Sequence, residues 1–266
     1  MPERQRLDTL VCLRGLAPNR TQARALVLAG AIAVDGQRIT RAGTLVPPEA
    51  VLTLLRPPSR YVSRGGEKLA AALVACALDV HQRVAMDVGA ATGGFTDCLL
   101  QAGARRVYAV DVGYGQLHWR LRTDPRVVVY ERTNARYLQP QDLPERVSVL
   151  AIDVAFISLR LLLPGLVRLL EPGADVIALI KPQFEVGKGR VGKGGVVRDA
   201  HQQYDVLLKV LSAAQTNDLG VQDGIVSPLL GAKGNREFLV HLRLGTQALP
   251  LVQLQELCAR LAFVAS

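Results

Sequence analysis

Only six of the 32 basic residues are lysines, and one of them, Lys181, closes an apolar run in Ala178-Leu-Ile-Lys-Pro-Gln-Phe-Glu185. Arginine keeps its proton in a protein, whereas a partly desolvated lysine can lose it, so a site that must accept a proton has to choose lysine. The plain alternative is a lysine that snorkels to solvent from a strand end. Asp153 closes a second apolar run, Val147–Val154, and Asp111 a third, Val107–Asp111. In a parallel α/β sheet, polar residues that follow apolar strands gather along one edge, where such sheets bind their ligands.

A glycine turn belongs to the same set. Met86-Asp-Val-Gly-Ala-Ala-Thr-Gly-Gly-Phe-Thr-Asp97 follows an apolar strand and opens a helix. Gly89, Gly93 and Gly94, with Phe95 directly after them, let backbone approach a ligand beside free helical N–H groups. Tight packing or a dinucleotide would explain a glycine turn taken alone. The G-x-x-x-G-G spacing departs from the dinucleotide pattern, however. Asp87, ahead of the glycines, would repel a pyrophosphate but could balance the cationic methionine part of S-adenosylmethionine. Asp111 suits the ribose hydroxyls of that cofactor, Asn134 the adenine edge, and Asp153 completes the ordered set.

The elements that must position these residues alternate in type. Strands are expected at Val84–Val88, Val107–Asp111, Val127–Tyr130, Val147–Val154, Asp175–Ile180, Gly224–Pro228 and Glu237–Leu244, with helices at 94–102, 115–122, 158–171 and 199–216. That alternation predicts an α/β fold, a doubly wound, mostly parallel sheet of the Rossmann-like kind.

The first 64 residues differ. They hold ten arginines against four acids, so six of the nine net positive charges sit in under a quarter of the chain. A basic unit on a nearly neutral body is the footprint of a nucleic-acid anchor, with simple solubility as the competing explanation. The pattern predicts a helix over Arg6–Gly15 and a second helix capped by Asn19 or Thr21 and running to Leu28. A hairpin turns at Asp35-Gly36, and Val51–Leu55 adds a last strand. Arg4, Arg6, Arg20, Arg24 and Arg38 are the basic positions, and phosphate and shape contacts are expected to dominate. The expected division is a small α+β domain at 1–55, a proline- and arginine-rich linker at 56–64 carrying Arg60 and Arg64, and an α/β domain at 65–266.

Other chemistries find little support. Four scattered cysteines and four scattered histidines show no metal-ligand spacing, so no metal is expected, and the cysteines read as reduced. There is no long apolar run and no signal-like start; a cytoplasmic protein without a membrane role is expected. Gly187-Lys-Gly-Arg-Val-Gly-Lys-Gly194 nearly spells a phosphate-binding loop, but Gly194 stands where magnesium chemistry needs Ser or Thr. It reads instead as a basic loop near the RNA groove, with a simple solvated loop as the competing explanation.

Several motifs together resemble one family. These are Arg64-Gly-Gly-Glu-Lys-Leu, the Asp87–Asp97 run, Asp153-Val-Ala-Phe-Ile-Ser-Leu, Ile180-Lys-Pro-Gln-Phe-Glu and Ser227-Pro followed by Gly234-Asn-Arg-Glu-Phe-Leu. From residue 5 to about 244 the chain resembles the hemolysin-A-type (TlyA) ribosomal RNA 2′-O-methyltransferases, which join an S-four-type RNA-binding domain to an FtsJ-like methyltransferase domain. The resemblance implies a catalytic tetrad at Lys68, Asp153, Lys181 and Glu237, S-adenosylmethionine as cofactor, and ribosomal RNA or ribosomal subunits as partners. It also implies methylation of a ribose, with cytidine the expected nucleoside. Ala91 and Ala155, beside site residues, stand where relatives are expected to carry serine. The tetrad makes sense chemically. An alcohol attacking a sulfonium methyl needs alignment and a place for one proton, and two neighbouring lysines favour the neutral form of one of them. A catalytically degenerate RNA-binding assembly factor is the alternative. A pseudouridine synthase would leave the cofactor motifs unexplained.

Overall fold

The computed structural model describes residues 4–55, 60–187 and 189–264. The chain separates into two compact units, Met1–Ser59 and Arg60–Ser266.

In the first unit β1 (Gln5–Arg6) leads into α1 (Leu7–Leu13), followed by α2 (Arg20–Leu28), β2 (Ile32–Val34), β3 (Gln37–Arg38), β4 (Leu45–Val46) and β5 (Leu52–Leu54). Asn19 caps α2, its side chain accepting from Gln22 N at 2.9 Å. The Asp35-Gly36 turn is present, with φ of 49° and 80°, so β2 pairs antiparallel with β3, and with β5 on its other edge. Leu7, Leu10, Val11, Ala23, Val27 and Ile32 form the core under the two helices.

The second unit begins earlier than the sequence suggests. Tyr61 is buried and Val62 N donates to Asp97 at 2.8 Å, so residues 60–64 pack into the body rather than linking to it. The rest of the expected linker, residues 56–59, lies outside the described residues. The elements are α3 (Gly65–Ala75), β6 (Val84–Val88), α4 (Gly94–Gln101), β7 (Arg106–Val110), α5 (Trp119–Arg122), β8 (Val127–Tyr130), β9 (Val147–Ile152), α6 (Leu159–Leu166), β10 (Leu170–Ile180), α7 (Pro182–Glu185), α8 (Ala200–Gln215), β11 (Leu219–Val226), β12 (Phe238–Leu244) and α9 (Leu251–Ala262). The sheet order is β11-β12-β10-β9-β6-β7-β8. All neighbours from β10 to β8 run parallel, while β12 runs antiparallel to both β10 and β11. Alternate residues of each strand face opposite layers. Met86, Val88, Leu150 and Ile152 meet α6, α8 and α9, while Ala85, Val149 and Ala151 meet α3 and α4.

Helices α3 and α9 exceed the sequence expectation. Leu69, Ala72 and Leu73 bury one face of α3, and Leu254, Leu257, Cys258 and Leu261 one face of α9. Strands β10 and β11 start earlier than expected, at Leu170 and Leu219, because each passes a register shift that the Pro-Gly and Gln-Asp-Gly residues disguise as a turn. Helix α5 is shorter than expected, since residues 112–118 form a loop. Among the described residues no helix is long and apolar enough to cross a membrane.

Candidate active site

Chain order reverses between β6 and β9, and the carboxyl ends of the strands around that point enclose a cavity of about 430 Å³. This is the size of a small-ligand pocket. Gly89, Asp111, Asn134 and Asp153 line it, with Val112, Ala135, Ile157 and Leu162 as apolar wall. Gly89 has φ +88°, and a Cβ there would overlap the Asp153 carbonyl, so only glycine lets the ends of β6 and β9 come this close. Asp111 is fixed from two sides: Oδ2 accepts from Ala91 N at 2.8 Å and Oδ1 from Gly113 N at 2.7 Å. Asn134 Oδ1 accepts from Arg136 N at 3.1 Å, and its amide N–H groups stay available. Ala91 and Ala155 are also in the wall.

The other four predicted cofactor residues sit outside that wall. Asp87 is fully buried beneath it, with Oδ2 accepting from Thr96 N at 2.8 Å and Thr96 Oγ1 at 2.7 Å. Its Oδ1 has no partner. Burial, together with the negative charges of Asp153 and Asp111, outweighs the Thr96 hydrogen bonds and pushes the carboxyl up to about 7. Gly93 packs on Leu117 and Leu121, and Gly94 on the Gly65-Gly66 backbone, where a Cβ would overlap Ser63 Oγ. Phe95, the second residue of α4, is a core residue against the start of α3. These three hold the turn rather than face the cavity.

The predicted tetrad assembles as two ion pairs. Lys181, the residue between β10 and α7, has Nζ 2.5 Å from Asp153 Oδ1. Lys68, on the second turn of α3, has Nζ 2.5 Å from Glu237 Oε2. Each ammonium thus has its own carboxylate. Glu237 also accepts from Gln183 Nε2 at 3.4 Å, and Gly231 closes over it. The Cβ direction of Gly65, one turn before Lys68, ends 3.8 Å from Asp153 Oδ2, so the start of α3 abuts the Lys181–Asp153 pair.

Sequence reasoning missed one conspicuous neighbour. Phe156 lines the cavity, is 91 % exposed, has φ +66° and touches Phe184 with ring centroids 5.0 Å apart. An exposed aromatic in a strained backbone conformation marks functional rims, but the sequence does not carry its exposure.

The predicted arginines divide. Arg6 and Arg20 lie 2.8 and 3.5 Å from Asp8, whose carboxyl the Arg6 hydrogen bonds hold down at about 2. Arg38 donates to Ala29 O at 3.2 Å and covers Gly30, so it closes the carboxyl end of α2. Arg60 Nε donates to Gln101 Oε1 at 3.1 Å. Arg4, Arg24 and Arg64 are exposed. The glycine-rich loop follows α7 and includes Lys188, which lies outside the described residues. Among the described residues no group of three or more His, Cys, Asp or Glu is arranged to hold a metal ion. His241 pairs with Asp175 at 2.9 Å, and the described cysteines are free.

A doubly wound sheet with one antiparallel strand next to its end, a glycine turn after its first strand and a cavity at the reversal defines the class: a Rossmann-like methyltransferase fold with a separate N-terminal unit. Residues 61–244 match the FtsJ-like methyltransferase family and residues 5–52 the S4 domain. The chain belongs to the TlyA-type family, FtsJ-like methyltransferases that carry an S4 domain. It is 47% identical to the 16S/23S rRNA (cytidine-2′-O)-methyltransferase TlyA of Mycobacterium tuberculosis, over 92% of each chain. It is also 47% identical to YqxC of Bacillus subtilis, described as a candidate rRNA methyltransferase, over 90% of this chain and 86% of that one. A solved structure, of a candidate hemolysin from Streptococcus thermophilus, aligns with a TM-score of 0.76 at 41% identity, covering 98% of this chain and 96% of the other.

Proposed function

We propose that the chain transfers the methyl group of S-adenosylmethionine to the 2′-hydroxyl of a cytidine ribose in ribosomal RNA. The observation that carries the reading is the pair of lysine–carboxylate contacts, Lys181–Asp153 and Lys68–Glu237, with Asp153 also in the wall of the cavity. The names of its relatives support the same substrate.

The residues of the cavity fit an adenosyl cofactor. Its apolar wall suits a purine, Asp111 the ribose hydroxyls and the Asn134 amide the base edge. Asp111 and Asp153 in the wall supply negative potential that favours a cationic ligand, and the unpartnered Asp87 Oδ1 lies buried beneath them. The bound cofactor supplies an electrophilic methyl group on a positively charged sulfur.

This chain's residues then have three tasks. Lys181, as the neutral amine, receives the proton of the attacking hydroxyl, with Asp153 orienting its Nζ. Lys68, held by the buried Glu237, steadies the negative charge that develops on the oxygen. Phe156 offers a free ring face to an unstacked base. In the S4 unit Arg4 and Arg24, with Arg6, Arg20 and Arg38, bind phosphates, and Arg60 and Arg64 do so at the start of the body.

The test is methyl transfer from radiolabelled S-adenosylmethionine to separated small and large ribosomal subunits, with the modified position mapped. A 2′-O-methylcytidine that disappears with Lys181→Ala supports the reading. Methyl on a base would refute it. RNA binding without any transfer would leave the degenerate assembly factor as the function.

A further inference from the structure

Two short connections carry the Lys181–Asp153 pair, and they are laced together at three points. One runs from Asp153 to Ser158 between β9 and α6, the other from Lys181 to Glu185 through α7. At the near end Lys181 Nζ meets Asp153 Oδ1 at 2.5 Å. In the middle Phe156 and Phe184 touch. At the far end the buried Glu185 accepts from Ser158 Oγ at 2.5 Å and from Leu159 N at 2.7 Å, with Arg160 Nε 3.8 Å away. The first strand end is thereby closed into a ring with the second. Glu185 has no place in the tetrad and lies four residues beyond Lys181.

We propose that Glu185 is a positioning residue for methyl transfer, setting the distance between Lys181 and Asp153 by fastening α7 to the first turn of α6. The inference rests on the proposed reaction. A buried carboxylate accepting from a hydroxyl and from a helical N–H holds two elements in one register more firmly than apolar packing does. Beyond the pairing of β9 with β10, the other described contacts between the two connections are that ion pair and one tilted ring contact. Asp111 and Asn134, which follow β7 and β8, are held by their own backbone neighbours, Ala91, Gly113 and Arg136.

The experiment compares the full chain with Glu185→Ala and Glu185→Gln in turnover, cofactor affinity and the ¹⁵N–¹H signal of the Lys181 ammonium, assigned with Lys181→Arg. Misplacement of a reacting group by about 1 Å costs roughly 100-fold, so Glu185→Ala is expected to lose between roughly 10- and 100-fold in kcat. Its cofactor Kd should change by no more than about threefold, less than the worth of one ordinary hydrogen bond, and the Lys181 signal should shift or vanish. Glutamine still accepts from Leu159 N and can donate to Ser158 Oγ, so Glu185→Gln is expected to restore both signal and turnover. Unchanged turnover in Glu185→Ala, or an equal loss in both variants, overturns the proposal. If Glu185→Ala does not fold, Ser158→Ala removes one of the two bonds, and an unchanged Lys181 signal and kcat there overturn it equally. The lysine signal is read without RNA, and the unmodified chain's own transfer is measured alongside. Failure of the proposed reaction is therefore seen separately from failure of this inference.

Discussion

Lys68 and Glu237 meet at 2.5 Å although 169 positions separate them, one on the first helix of the body and the other at the head of its antiparallel strand. Glu237 is only 2 % exposed, and Gly231 lies so close that a Cβ there would overlap Oε1. Gly231→Ala should therefore push the carboxylate off Lys68 without touching the cofactor cavity. Turnover should fall by roughly tenfold or more, the cost of a misplaced catalytic group, with cofactor affinity retained. Calorimetry beside single-turnover methyl transfer checks this, and unchanged turnover would count against the pair.

Lys181→Ala should abolish methyl transfer while RNA and cofactor binding persist, because the role assigned to it is confined to the transition state. Lys181→Arg keeps the charge beside Asp153 but cannot accept a proton, and should fail almost as badly. Near-normal turnover of the arginine variant would mean that charge suffices and the proton leaves by water.

Asp87 gives a pH dependence. Folding raises its carboxyl from the usual range to about 7, so the folded chain binds that proton more tightly than the unfolded one. Its contribution is complete below about pH 4 and is lost as the pH climbs through about 7. Asp87→Asn does not titrate, so the stability of the native chain relative to this variant should shrink across that interval. Denaturant melts at several pH values measure it; parallel curves would show that Asp87 is ionised throughout.

The two compact units predict a division of labour. Removing residues 1–59 should weaken RNA binding and flatten its salt dependence, since each phosphate that no longer meets an arginine lowers the slope by about one. Cofactor binding should remain. Filter binding across a salt series decides it, and equal RNA affinity with and without the unit would refute the anchor.

What was legible in the sequence follows from how each residue is encoded. Asp111, Asp153 and Lys181 end apolar runs, so their place on one sheet edge could be read from the pattern alone, and the cavity has Asp111 and Asp153 in its wall. The Lys68–Glu237 contact has no local signal; only the family resemblance joined them. Asp87 was legible as an acid before glycines, but its side chain turns down to Thr96, a choice of rotamer that spacing does not carry. Glu185 looks like any acid at the end of a motif, and its burial depends on α6 packing over it. Helix α3 hid behind Gly65-Gly66, which read as a domain boundary, although its Leu69–Leu73 face had helical spacing. Tyr61 escaped for the same reason, because prolines just before it suggested a solvated tether.

The reversed direction of β12 has a consequence in time. Parallel strands deliver their last residues to the catalytic edge, whereas β12 delivers its first, and that is how Glu237 arrives beside Lys68. A ribosome making this chain releases the cavity walls, residues 88–162, well before Glu237 exists. A chain that ends before β12 therefore lacks the Lys68–Glu237 pair. Synthesis order itself leaves that contact until the last strand takes its place between β10 and β11.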